Sequence, residues 1–131
     1  MSERTFFQRI LGISATGIAA EGSWTLEGKS VRVDPGKLPE LSVSGKGVRI
    51  EGKELPERIL LLHGTDGEFH AYRNRCTHGG RRLDPSGDGV QCCSVGKSFF
   101  DLNGSVISGS AKKNIKKYNT RRENSYIIIE L

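Results

Sequence analysis

Cys76-Thr-His78-Gly-Gly80, then Cys92-Cys-Ser-Val-Gly96, then Phe99-Phe-Asp101-Leu-Asn103-Gly104 run through the later half of the chain and decide how the rest is read. The protein has three cysteines, all between Cys76 and Cys93. An odd number in so short an interval excludes a disulfide-stapled scaffold and points to one local site. Asn103-Gly104, set between Phe99-Phe100 and Val106-Ile107, supplies the positive-φ positions of a tight turn and is a hairpin signal.

Outward from that stretch, short runs with period-two alternation recur: Val31-Arg-Val33, Val48-Arg-Ile50, Arg58-Ile-Leu-Leu-Leu62 and Glu68-Phe-His-Ala-Tyr72. Gly45-Lys-Gly47, Gly64-Thr-Asp-Gly67 and Gly87-Asp-Gly89 divide them, and Ser125 to Leu131 closes the chain as a strand with Ile127, Ile129 and Leu131 on one face. Glycine makes up 17 of 131 residues, with 35% hydrophobic and 27% charged, which describes a turn-rich globular chain and excludes collagen-like or disordered classes. One all-β, antiparallel domain is expected, long enough to bury about two-thirds of its unfolded surface.

Residues 1–22 stand apart as a signal-like or amphipathic segment. Its charged start, apolar run and small residues resemble a twin-arginine export signal, with Glu3-Arg4 and Phe6-Phe7 at the motif positions. Phe6, Phe7, Ile10, Leu11 and Ile13 also share one side at helical spacing. The helical reading gives a cytoplasmic protein; the export reading gives a periplasmic one. The uncharged run Ile10 to Ala20 is far short of the ~20 residues that cross a bilayer, so no transmembrane anchor is expected. Twenty basic and fifteen acidic side chains leave a formal charge of +5, too small an excess to diagnose nucleic acid.

The paired segments at Cys76 and Cys92 resemble the Rieske [2Fe-2S] family, whose motif is a CxH loop and a CxxH loop on adjacent hairpins. The resemblance continues through Gly109-Ser-Ala111, Ile115 and Tyr118 and covers residues 23–131, with the loop region at about 75–103. It implies a Rieske-type antiparallel β sandwich with the two hairpin loops inserted as a small subdomain. It also implies a cluster in which one iron takes two thiolates and the other two imidazoles. Matched residue by residue, Cys76 and Cys92 are the thiolates, His78 is the first imidazole, and the second imidazole falls on Val95. An isopropyl group has no lone pair, so the ligand set is degenerate. The possible substitutes are a water or hydroxide, Cys93, Lys97, His63 or His70. The two extra cysteines that bridge the loops in some relatives fall here on Arg81 and Ser94.

A tetrahedral zinc site built from Cys76, His78, Cys92 and Cys93 is a second metal reading. Gly79, Gly80 and Gly96 read either as plain loop turns or as points of close backbone approach to a bound group. Lys112, Lys113, Lys116, Lys117, Arg121 and Arg122 read as a solvated loop rather than as a docking face. His63 and His70 read as hydrogen-bonded rim residues, and Trp24 as a core anchor. No nucleophile with a base partner stands out, so autonomous catalysis is not expected. The resemblance implies a ferredoxin-like electron-transfer protein serving an oxidoreductase, with a [2Fe-2S] cluster on Cys76, His78 and Cys92. Val95 favours the alternative, a cluster-free accessory or binding subunit similar to the small subunit of some nitrite reductases. A thiol redox module is a third reading.

Overall fold

The computed structural model describes residues 16–77, 80–92, 98–109 and 111–131. The signal-like residues 1–15, together with His78, Gly79, Cys93, Ser94, Val95, Gly96 and Lys97, lie outside the described residues.

Eleven strands are described: β1 Trp24–Glu27, β2 Ser30–Val33, β3 Gly47–Ile50, β4 Ile59–His63, β5 Phe69–Arg73, β6 Leu83–Ser86, β7 Gly89–Cys92, β8 Phe99–Asp101, β9 Val106–Ser108, β10 Lys117–Glu123 and β11 Tyr126–Glu130. They form a seven-stranded sheet in the order β1-β2-β11-β10-β5-β4-β3 and a four-stranded sheet in the order β6-β7-β8-β9. All pairings between these strands are antiparallel, as the turn-rich sequence leads one to expect. Pro85 lies in β6, the edge of the smaller sheet, where a missing N–H is tolerated.

Strand β4 explains how the two sheets are joined. Side chains alternate across a strand, and this one is apolar at every position from Ile59 to Leu62. Ile59 and Leu61 pack with Val31, Val33, Val48, Ile50, Ala71, Tyr118, Ile127 and Ile129 in the main core, which draws on both halves of the large sheet. Leu60 and Leu62 face the other way, into a second core with Tyr72, Leu83, Val90, Phe100, Ala111 and Ile115 beneath the smaller sheet. A continuous apolar run is what burial on both faces requires.

Polar contacts fix the smaller sheet in place. Tyr72 Oη donates to Leu102 O at 2.6 Å, and burial raises its phenol well above the ordinary tyrosine range. Thr65 Oγ1 donates to Asp88 Oδ1 at 2.9 Å, joining the β4–β5 and β6–β7 turns. Thr16 donates through N and Oγ1 to Asp84 at 3.1 and 2.5 Å, and Ile18 bridges Arg49 on β3. Residues 16–19 therefore lie against the domain.

The basic run differs from the expected solvated loop from Lys117 onward. Lys117–Glu123 is a strand inside the large sheet, with Lys117 and Tyr118 paired to β5 and residues 119–123 paired to β11. Arg121 and Arg122 are exposed, Lys117 is half-buried, and Tyr118 is its one buried residue. Asn124 takes the left-handed conformation, φ 58°, in the turn that follows, a geometry Asn tolerates. The Asn103-Gly104 hairpin forms as expected. Asp101 organises it by accepting from the backbone of Asn103 and Ser105 at 3.0 and 2.9 Å. Trp24 packs against the main core. Among the described residues, no helix is long and apolar enough to cross a membrane.

Two expectations follow. Gly104 has φ +85°, and a Cβ there would lie 2.9 Å from Ile115 O. Gly104→Ala is therefore expected to lower unfolding free energy by about 1–3 kcal/mol in a urea titration. Glu51, which follows β3, accepts from Arg82 Nε and Nη2 at 2.8 and 3.1 Å and from Arg49 Nη1 at 3.2 Å. Burial alone would raise this carboxyl, but the Arg82 hydrogen bond and the charges of Arg49, Arg82 and Arg58 hold it below its ordinary 4.5. A lowered folded-state pKa contributes stability that is present above the unfolded value and lost as pH falls through the folded one. Glu51→Gln should thus be less stable than the parent at neutral pH. The gap should close as pH drops below 4.5, read as denaturation midpoints across pH.

Candidate metal centre

The first cysteine loop begins where β5 ends. Asn74 is fully buried, and its Oδ1 accepts from Leu83 N at 2.6 Å, tying the start of the loop to the start of β6. Arg58, just before β4, exchanges backbone and side-chain bonds with it. Asn74 N donates to Arg58 O at 2.8 Å, and Arg58 Nε and Nη2 donate to Asn74 O at 3.1 and 3.0 Å. The same Nη2 donates to Gly80 O at 3.0 Å, so one guanidinium holds both ends of the loop. Within it, Cys76 N donates to Arg81 O at 2.7 Å and Gly80 N donates to Cys76 O at 2.8 Å. Gly80 has φ +70°, and a Cβ there would press on the Arg75 guanidinium at 3.3 Å, so glycine suits this closed turn.

The second cysteine closes a matching loop. Cys92 ends β7 opposite Leu83, and its N donates to Ser98 O at 2.8 Å. Buried Ser98 accepts through Oγ from Ala111 N at 2.9 Å. Two residues further on, Lys113 O accepts from Thr77 Oγ1 at 2.6 Å. The segment at 111–113 is thereby bonded to the bases of both loops.

Cys76 and Cys92 are 1% and 2% exposed and belong to one packed cluster with Leu60, Leu62, Tyr72, Leu83, Val90 and Phe100. The structure thus brings together the two residues that the sequence motif marks as thiolates. His78, Val95 and Cys93 lie outside the described residues, so the imidazole and zinc readings at those positions are not addressed by the fold. Among the described residues, no three His, Cys, Asp or Glu side chains gather into a metal-binding group. His63 and His70 stand elsewhere. His63 Nδ1 donates to Leu41 O at 2.9 Å, and His70 Nε2 donates to the Asp66 carboxylate at 2.9 Å.

Charge around the first loop is positive. Burial and the neighbouring charges of Arg82 and Arg75 lower the Arg58 guanidinium, against the opposing pull of Glu51 and Glu57. Nearby cations favour the thiolate form of a cysteine, and burial opposes it unless the sulfur is compensated. Asn74 Nδ2 is a fully buried donor with no acceptor among the described residues, an arrangement that costs about 1–3 kcal/mol when left unsatisfied. A spare N–H two residues from Cys76 is suited to an anionic sulfur. The described residues therefore fit the thiolate half of an iron–sulfur site. Sequence reading passed over Arg58, Asn74, Thr77 and Ser98. A signal was present in Asn74, a small polar residue between a buried strand and a cysteine.

Comparison with known proteins accords with this geometry. The model of the Rieske [2Fe-2S] domain matches residues 23–119, while no curated protein sequence matches the chain. Among solved structures, the cyanobacterial plasma membrane Rieske protein PetC3 from Synechocystis PCC 6803 is similar at 18% identity and TM-score 0.58, covering 72% of this chain and 94% of that one. The Sphingomonas yanoikuyae B1 ferredoxin is similar at 20% identity and TM-score 0.58, covering 70% and 93%. The structure of reduced oxygenase with oxidized ferredoxin in carbazole 1,9a-dioxygenase matches at 15% identity and TM-score 0.58, covering 66% of this chain and 82% of that one. Of a Rieske monooxygenase chain that also matches, this protein spans only 29%. These likenesses establish the fold, and the match across residues 23–119 establishes that the chain belongs to the Rieske [2Fe-2S] domain family.

Proposed function

We propose that this protein is a one-electron carrier in which Cys76, His78 and Cys92 hold a [2Fe-2S] cluster, with Val95 at the position of the fourth ligand. The functional unit on this reading is residues 23–131, with 1–22 as an appended segment. The observation that carries it is the burial of Cys76 and Cys92 in one packed cluster at the bases of two loops. When bound, a centre with mixed thiolate and imidazole ligands takes up and releases one electron at a higher potential than an all-thiolate cluster.

The chain's own residues supply position and environment. Arg58 and Asn74 hold the first loop, and Ser98 and Ala111 hold the base of the second. Leu60, Leu62, Tyr72 and Phe100 keep water from the sulfur side. Arg75 and Arg58 place positive charge on the first loop, and Asn74 Nδ2 is a buried donor without an acceptor among the described residues. The partner on this reading is an oxidoreductase that performs the chemistry, as a ferredoxin relative has been seen with its oxygenase.

Val95 favours a second reading, in which the domain has given up its cluster and serves an oxidoreductase as an accessory subunit. Iron and acid-labile sulfide per chain, measured on anaerobically purified protein with EPR after reduction, separate the two. The carrier reading expects iron and sulfide in the parent and background iron in Cys76→Ser. It also expects more iron in Val95→His, which restores a nitrogen donor. Colourless parent and Val95→His proteins after reconstitution would remove the carrier reading.

A further inference from the structure

The end of the molecule that carries the cysteine loops is ringed by cations. Arg75 and Arg81 are exposed on the first loop. Lys112 and Lys113 are exposed on the segment that crosses both loops, held there by the Thr77 and Ser98 hydrogen bonds. Arg58 lies behind them, within reach of the charges of Arg75 and Arg82. Of the carboxylates at this end, Glu51 is engaged by Arg49 and Arg82, Asp84 accepts from Thr16, exposed Glu57 faces Arg58, and Glu54 is exposed on the same β3–β4 connection.

Asp66, Glu68 and Asp88 lie at the other end. The β4–β5 and β6–β7 turns that carry them are joined by the Thr65–Asp88 bond. These turns stand at the start of β5 and of β7, whereas Asn74 and Cys92 stand at the finish. The loop end therefore carries an excess of cations, whereas the turn end mixes Asp66, Glu68 and Asp88 with Lys46, beside His63, and Arg122, over the Phe69 ring. An excess of one sign orients an approaching partner over about a Debye length, ~8–10 Å, and raises encounter rates by about 10–1,000-fold.

Among the described residues the positive end shows no fully exposed aromatic ring of the kind that stacks single-stranded nucleic acid: Phe99 is half-buried and Tyr72, Phe100 and Tyr118 are buried. The large apolar side chains exposed among the described residues are Ile18, Val43 and Ile107, none of them aromatic.

We propose that the loop end, ringed by Arg75, Arg81, Lys112 and Lys113, docks an acidic patch on a redox partner protein. That the partner is a redox protein rests on the electron-carrier reading; that the docked surface is acidic rests on the placement of charge. Contact at this end would bring the partner to the loops that bear Cys76 and Cys92, which shortens the path an electron must cross.

The test uses fluorescence anisotropy with a labelled oligoglutamate peptide and, separately, a labelled oligothymidylate of equal charge. Two double variants change net charge equally. Lys112→Glu with Lys113→Glu alters the loop end, and Lys29→Glu with Arg122→Glu alters remote surface. The loop-end variant is expected to weaken peptide binding on the order of tenfold and the remote variant by less than about twofold, with the difference shrinking as salt is added. Equal losses in both variants, no peptide binding, or tighter binding of the oligothymidylate would overturn the proposal. Iron is counted on the same samples. Protein that stays iron-free after reconstitution, in the parent and in Val95→His, yet still binds the peptide at the loop end removes the electron-carrier reading and leaves the docking face for acidic partners. Iron-loaded protein with equal losses removes the docking face alone.

Discussion

Burial of β4 on both faces is the constraint on which the remaining architecture depends. Ile59 and Leu61 complete the core of the large sheet, and Leu60 and Leu62 give the smaller sheet a surface to pack against. Without that second face, β6 to β9 would be a short four-stranded sheet with little apolar area to bury, and sheets of this size depend on such packing. The two cysteines sit in the interface so created, together with Tyr72, Leu83 and Phe100. The site is thus a consequence of how the two sheets meet.

Within that interface the loops are closed by polar contacts rather than by their own packing. Arg58 spans from Asn74 O to Gly80 O, and Thr77 and Ser98 each bond the segment at 111–113. Three separate pieces of chain therefore meet around the sulfurs. The arrangement combines a dry apolar side with a cationic, hydrogen-bonding side.

Much of this was legible in the residues. Alternation in Val31-Arg-Val33 and Val48-Arg-Ile50 gave strands β2 and β3, and the Asn103-Gly104 turn gave the β8–β9 hairpin, because side-chain period and turn geometry are local properties. The spacing of Cys76 and Cys92 marked a pair that the fold brings into one cluster. Strand β10 was not legible. After Tyr118 its residues are all polar, with no apolar alternation to mark a strand, and its strand character comes from pairing with β5 and β11, which no local pattern reports. The Arg58–Asn74–Gly80 clamp was equally hidden, since it joins residues remote in sequence through backbone carbonyls. The cationic loop end was visible only in part. Lys112 and Lys113 could be counted, but their neighbourhood with Arg75 depends on the Thr77 hydrogen bond.

The account turns on two sulfurs acting as one ligand pair. Anomalous diffraction at the iron absorption edge, from crystals of anaerobically prepared protein, tests that most directly. An anomalous peak within bonding distance of both Cys76 Sγ and Cys92 Sγ is the predicted result. Iron bound elsewhere, or an ordered site with the two sulfurs turned away from each other and no iron between them, would contradict it.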